Sequence, residues 1–206
     1  DQTPFYPEGG GQVGDTGRLI SENNQTDVID TKKENNLIVH TLTELPSDPA
    51  ATFQAEVDVT NQLASSRNHS ATHLLHEALR DILGTHVEQK GSLVRPENLR
   101  FDFSHFEKIE SDTVQKIENR VNERILENIP LVEKRNLALE DAKKAGAMML
   151  FGEKYGASVR MIGFGSSKEL CGGIHVPATG SIGTFRITTE TSVASGIRRI
   201  EAVTGS

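Results

Sequence analysis

Apolar and polar positions change rhythm near residue 60. Before it, Phe53, Ala55, Val57 and Val59 alternate with Gln54, Glu56 and Asp58, the period of a half-buried strand. The run 36–42 (NLIVHTL) predicts another short strand, and Gly9, Gly10, Gly11, Gly14 and Gly17 suit tight turns and close backbone approach. Residues 1–60 therefore read as a small, glycine-rich β unit. Beyond it, Ala71, Leu74, Leu75, Ala78, Leu79 and Ile82 recur at helical spacing, with Gly84 where a C-cap belongs. A second helix is predicted from near Ser111 and Asp112, burying Val114, Ile117, Val121 and Ile125 and stopped by Pro130; a shorter one is predicted over 139–149. With strands predicted near 99–104, 157–162, 184–190 and 197–203, residues 61–206 read as a mixed α+β unit.

Composition narrows this picture. At 206 residues the chain can bury a real core, and no apolar run approaches the roughly 20 residues a membrane helix needs. Cys171 is the only cysteine, which excludes an internal disulfide and points to a reducing compartment. Beginning at Asp1 without a leader, the sequence reads as a segment of a longer chain. The net charge of −7 argues against a surface coated in positive potential. That charge is uneven: residues 1–60 hold 11 acidic and three basic residues, a balance of −8, which leaves +1 for the rest. Any RNA phosphates should therefore lie on the second unit, where Arg67, Arg80, Lys90, Arg95, Arg100, Arg186, Arg198 and Arg199 are available.

Candidate chemistry begins on the first helix. His69 and His73 are four residues apart, about 40° around the axis, and can close on one metal ion. With His76 they lie roughly opposite the apolar stripe, which disfavours core histidines and leaves an exposed polar face as the plain alternative. Cys171 changes the balance. In Leu170-Cys-Gly-Gly-Ile-His-Val176, Gly172 and Gly173 let the backbone turn so that Cys171 and His175 converge. Two helical histidines and a Cys-x-x-x-His loop form a set of ligands that zinc prefers; a reactive or merely buried thiol is the competing reading. A zincin helix would place a Glu between its histidines, where this chain has Ser70, Ala71 and Thr72. His76 is expected beside the set or facing solvent, and His40, His86 and His105 have no partner legible in the sequence.

Several stretches carry a resemblance. Thr3-Pro-Phe-Tyr through Gly9-Gly-Gly-Gln-Val-Gly-Asp-Thr-Gly17, Asn68-His-Ser-Ala-Thr-His-Leu-Leu75, Gly91-Ser-Leu-Val and Arg100-Phe-Asp-Phe-Ser-His105 resemble the editing domain of alanyl-tRNA synthetases. So do Ala147-Met-Met-Leu-Phe-Gly-Glu-Lys-Tyr-Gly156, Leu170–Val176 and Ser195-Gly-Ile-Arg-Arg-Ile-Glu-Ala-Val-Thr-Gly205. The resemblance implies an α+β fold in which a glycine-rich β-barrel-like unit, residues 1–60, precedes a zinc-binding editing domain, residues 61–206, shared with threonyl-tRNA synthetase. It implies Zn²⁺ on His69, His73, Cys171 and His175, a cytoplasmic setting, and tRNA(Ala) and the rest of a synthetase chain as partners. The implied activity is hydrolysis of Ser-tRNA(Ala) and Gly-tRNA(Ala). The chain departs from the family at Ile174, where Thr is usual, and so lacks a hydroxyl there.

A separate hydrolytic site has a physical rationale. A pocket built for alanine discriminates poorly against a side chain one hydroxyl larger or one methyl smaller. From the family pattern, Gln12 is expected to meet the serine hydroxyl, or else only to order the glycine turn. Arg198 and Arg199 are the candidate tRNA contacts near the site, and no residue is assigned as catalytic base. The competing readings are a tRNA-binding module with a purely structural zinc and a free-standing deacylase.

Overall fold

The fold is a computed structural model that describes residues 2–22, 24–149 and 155–205. Strands β1 (Gly17–Ser21), β2 (Asn24–Glu34), β3 (Leu37–Leu42) and β4 (Gln54–Val57) form an antiparallel sheet in the order β3-β2-β1-β4. Asn35 and Asn36, both at positive φ, make the tight turn between β2 and β3. The expected barrel is an open sheet: β3 and β4 are its two edges and do not pair, and four strands are too few to close. The alternation from Phe53 ends before Val59, because the Asp58 side chain accepts the Asn61 N–H at 3.0 Å and starts a helix there.

That helix, α1 (Val59–Leu83), runs through the molecule and ends at Gly84, whose N–H reaches the Arg80 carbonyl. Its stripe of Ala71, Leu74, Leu75, Ala78 and Leu79 is fully buried. The stripe packs with Ile117, Val121 and Ile125 of α2 (Ser111–Leu126) and with Leu99, Phe101 and Phe103 of β6 (Leu99–Ser104). Strand β6 lies between β5 (Gln89–Val94) and the hairpin of β10 (Thr184–Ala194) and β11 (Ile197–Gly205), in the order β10-β11-β6-β5. A third sheet, β7 (Val132–Ala138), β8 (Ser158–Phe164) and β9 (Ser167–Leu170), has its own small core of Ala142, Val159, Met161 and Leu170.

The predicted helix over 139–149 is shorter. Helix α3 covers Leu139–Lys144, and Gly146, at a φ of 76°, turns the chain so that Met148 pairs with Glu169 beside β9. Most of Phe151-Gly-Glu-Lys-Tyr-Gly156 lies outside the described residues. Among the described residues, no helix is long and apolar enough to cross a membrane.

Candidate metal centre

Three elements meet along the polar side of α1. The helix brings His69 and His73 one turn apart, with rings nearly parallel at 3° and centroids 5.4 Å apart. The end of β9 carries Cys171 and, four residues on, His175. The ligand atoms of His69, His73, Cys171 and His175 all lie within 4.8 Å of one another, and Cys171 Sγ is 3.3 Å from the Nε2 atoms of both His69 and His175. Neither glycine of this loop is in the left-handed region, and Gly173 is the one that acts by leaving space. A Cβ on Gly173 would sit 2.0 Å from the His69 ring, whereas one on Gly172 would meet nothing within 4 Å.

The glycine turn of the first sheet supplies the support for His69. Gly9 and Gln12 exchange backbone hydrogen bonds of 3.0 Å, and the turn is held to edge strand β5 through Val13 N to Val94 O at 3.1 Å and Val94 N to Gly11 O at 2.7 Å. A Cβ on Gly11 would come within 2.8 Å of the Ser92 carbonyl oxygen. Gln12 is thereby fully buried, its Oε1 accepting from His69 Nδ1 at 2.7 Å and from the Ile174 N–H at 3.1 Å. The second bond uses the main chain, so it does not depend on the side chain at Ile174. Gln12 thus stands behind His69, outside the lining of the adjacent cleft.

These contacts define which ring nitrogens face inward. Ser70 donates its hydroxyl to the Ser66 carbonyl at 2.8 Å, so its oxygen accepts from Val176 N at 3.1 Å and from His175 Nδ1 at 3.2 Å. His69 and His175 therefore carry their protons on Nδ1 and present Nε2 lone pairs to the centre. His73 Nδ1 lies 2.7 Å from a Glu169 oxygen, and its Nε2 is buried without a protein partner. An orphaned buried nitrogen facing two other imidazoles and a thiol fits a soft tetrahedral metal. Burial opposes ionisation of Cys171, but His69 and His175, whose Nε2 atoms lie 3.3 Å from its sulfur, hold the thiol well below its ordinary range. Burial and the neighbouring charge of His69 push His175 down to about 3. Burial would lower His73 as well, yet Glu169 raises it to about 10.

A cleft of about 260 Å³ opens beside the centre, lined by His69, His73 and Cys171 together with Gly10, Thr72, Gln89, Ser92 and Tyr155. Other expectations resolve differently. The polar side of α1 is covered: His69, His73 and His76 are 4%, 5% and 2% exposed, so an exposed histidine face does not exist. His76 does not face solvent, since its Nδ1 meets Glu169 at 3.0 Å. His40 contacts Thr3 Oγ1 at 2.8 Å, and His86 pairs with His105 at 2.9 Å. Arg198, 9% exposed, donates from Nε and Nη2 to the two carboxylate oxygens of Glu190. Arg199, on the other face of β11, makes paired bonds of 2.7 and 2.8 Å to Asp102, so both candidate RNA contacts already hold a carboxylate. Asp102 points away from α1 and takes no part in the centre. Glu169 is the residue that sequence reading missed. Its place two residues before Cys171 would put it on the same side only once Ser167–Leu170 is known to be a strand.

Comparison with known sequences places this geometry. The family described as "Threonyl and Alanyl tRNA synthetase second additional domain" matches residues 159–201, and "tRNA synthetases class II (A)" matches residues 1–67. The alanine–tRNA ligase of Parabacteroides distasonis is 61% identical over 99% of this chain and 23% of its own length. Those of Bacteroides fragilis and Flavobacterium psychrophilum are 59% and 57% identical over all of the chain and 24% of theirs. The chain is similar along its whole length to a segment of these alanine–tRNA ligases. It spans about a quarter of the length of these relatives. The match to the second additional domain runs from β8 into β11, the stretch that carries Cys171 and His175.

Proposed function

We propose that this segment of an alanine–tRNA ligase is its editing unit, hydrolysing the aminoacyl ester of Ser-tRNA(Ala) and Gly-tRNA(Ala) in the cytoplasm. The observation that carries the reading is the convergence of His69, His73, Cys171 and His175 beside a cleft of about 260 Å³. These four residues would hold Zn²⁺, which when bound supplies positive charge next to the ester carbonyl. The chain's own groups do the positioning. Gln12 and Ser70 orient two imidazoles, while Thr72, Gln89 and Ser92 give the cleft polar walls that can orient a small amino acid. Among the described residues the carboxylate lining the cleft is Glu169, whose two oxygens are held by His73 and His76, so the rate enhancement rests on orientation and electrostatics. On this reading the segment by itself neither activates alanine nor consumes ATP; those steps belong to the rest of the parent chain.

The tRNA would approach along the less acidic second unit, with Arg199 at the surface and Arg198 buttressing β10 through Glu190. The division into residues 1–60 and 61–206 belongs to the same proposal, with Gln12 reaching across it. One observation favours a second reading: four protein ligands complete a tetrahedron, the usual mark of a structural zinc in an RNA-binding module. Deacylation of Ser-tRNA(Ala) by zinc-loaded and metal-stripped chain separates the two. Metal-dependent hydrolysis that spares Ala-tRNA(Ala) supports editing; tRNA binding without hydrolysis supports the binding module. A free-standing deacylase is disfavoured by the similarity to one quarter of much longer ligases.

A further inference from the structure

We infer that Glu169 is a positioning residue that clamps His73 from behind and balances the charge of the metal centre, with His76 holding the clamp in place. The inference rests on the metal reading above and concerns a residue outside the ligand set. Glu169 is 6% exposed, and its two oxygens meet two histidines: Oε2 lies 2.7 Å from His73 Nδ1 and Oε1 lies 3.0 Å from His76 Nδ1. An ionised carboxylate only accepts, so both imidazoles donate from Nδ1. His73 then presents an Nε2 lone pair to Cys171 and the other ligands.

His76 explains why one histidine is not enough. It lies three residues after His73 on α1, is 2% exposed, packs its ring 5.2 Å from that of Phe101 and has an Nε2 without a protein partner. It is too deep in the core to join the ligands, yet it occupies the carboxylate oxygen that His73 does not. With both oxygens held, the carboxylate plane cannot rotate, and the His73 ring is held with it. The backbone of Glu169 is fixed as well, by Met148 N to Lys168 O at 2.8 Å and Leu170 N to Met148 O at 3.0 Å.

Charge gives the clamp a second task. A divalent cation bound by one thiolate and three neutral imidazoles would leave a net positive charge in a site whose helix ligands are about 95% buried. The Glu169 carboxylate brings that sum to zero. Replacing it with an amide removes the charge and turns an N–H₂ group toward one of two histidines that must donate.

The experiment uses the full chain and Zn²⁺ itself, with affinity read by chelator competition and geometry by the visible spectrum of the Co²⁺ form. Glu169→Gln should bind Zn²⁺ about 10–100-fold more weakly than the unaltered chain and shift the Co²⁺ bands. His76→Leu, which frees one carboxylate oxygen and keeps the charge, should lose less. Unchanged zinc affinity and Co²⁺ spectrum in a folded Glu169→Gln chain would overturn the inference while leaving the metal reading intact. Failure of the unaltered chain to bind Zn²⁺ would overturn both. Should Glu169→Gln not fold, ¹⁵N imidazole spectra of the zinc-loaded unaltered chain decide: His73 bound through Nε2 with its proton on Nδ1 sustains the clamp, and binding through Nδ1 overturns it.

Discussion

Along α1, Ala71, Leu74, Leu75, Ala78 and Leu79 are at most 1% exposed, and on the other side His69, His73 and His76 are at most 5% exposed. Burial alone does not separate the two sides. The apolar side needs only shape, whereas the polar side needs a named acceptor for each ring: Gln12 for His69, and Glu169 for His73 and His76. Even then the Nε2 atoms of His73 and His76 stay unpaired. The difference teaches that a functional face shows itself through the atoms its surroundings leave unsatisfied, more than through its exposure.

The contrast is sharpest if each side is damaged separately. Cys171→Ala should abolish tight Zn²⁺ binding and reduce deacylation of Ser-tRNA(Ala) by more than the roughly 100-fold at which loss of an outer partner tops out, with little change in the apolar core. Zinc content and single-turnover hydrolysis check this, and normal hydrolysis by the metal-free variant would leave zinc only a structural role. Leu74→Ala should do the reverse, lowering unfolding stability by about 2–5 kcal/mol in urea while zinc affinity below the transition holds. Gln12→Leu should weaken zinc about 10–100-fold and slow serine and glycine removal equally, because Gln12 supports His69 from behind. A loss confined to Ser-tRNA(Ala) would instead put Gln12 in contact with the substrate hydroxyl. The smallest effect concerns Glu133, held by Arg135 and Arg160 down to about 2 from an ordinary 4.5. A depressed carboxylate contributes its stability fully above the unfolded value and loses it as pH falls from about 4.5 through about 2. Glu133→Gln should therefore lower stability slightly at neutral pH and flatten the acid limb over that window, the two chains converging as pH falls to about 2, as urea midpoints across pH would show.

Much of this was legible from spacing. The stripe on α1 and the pair His69 and His73 follow from helical period, and α2 and β6 fall where periodicity put them. What escaped was set by partners distant in sequence. Strand β9 is four residues long and carries too little alternation to be read, so Glu169 stayed hidden beside a cysteine that drew attention. The carboxylates on Arg198 and Arg199 come from β10 and β6 and are invisible until register aligns them. The early end of α3 was readable in principle from Gly146, a residue that commonly closes helices.

The hydrogen bonds between the Gly9–Gln12 turn and β5 bear on how the chain can be dissected. Sequence rhythm invites a cut near residue 60, yet Asp58 caps α1 and Gln12 holds one of its histidines. A fragment beginning at residue 61 would keep all four donors but lose the acceptor that orients His69, along with the strand-edge contacts of Val13 and Gly11. The unit of inheritance and the unit of chemistry thus have different borders: any transplant of this centre into another scaffold has to carry a glycine turn from nearly 60 residues upstream of its first histidine.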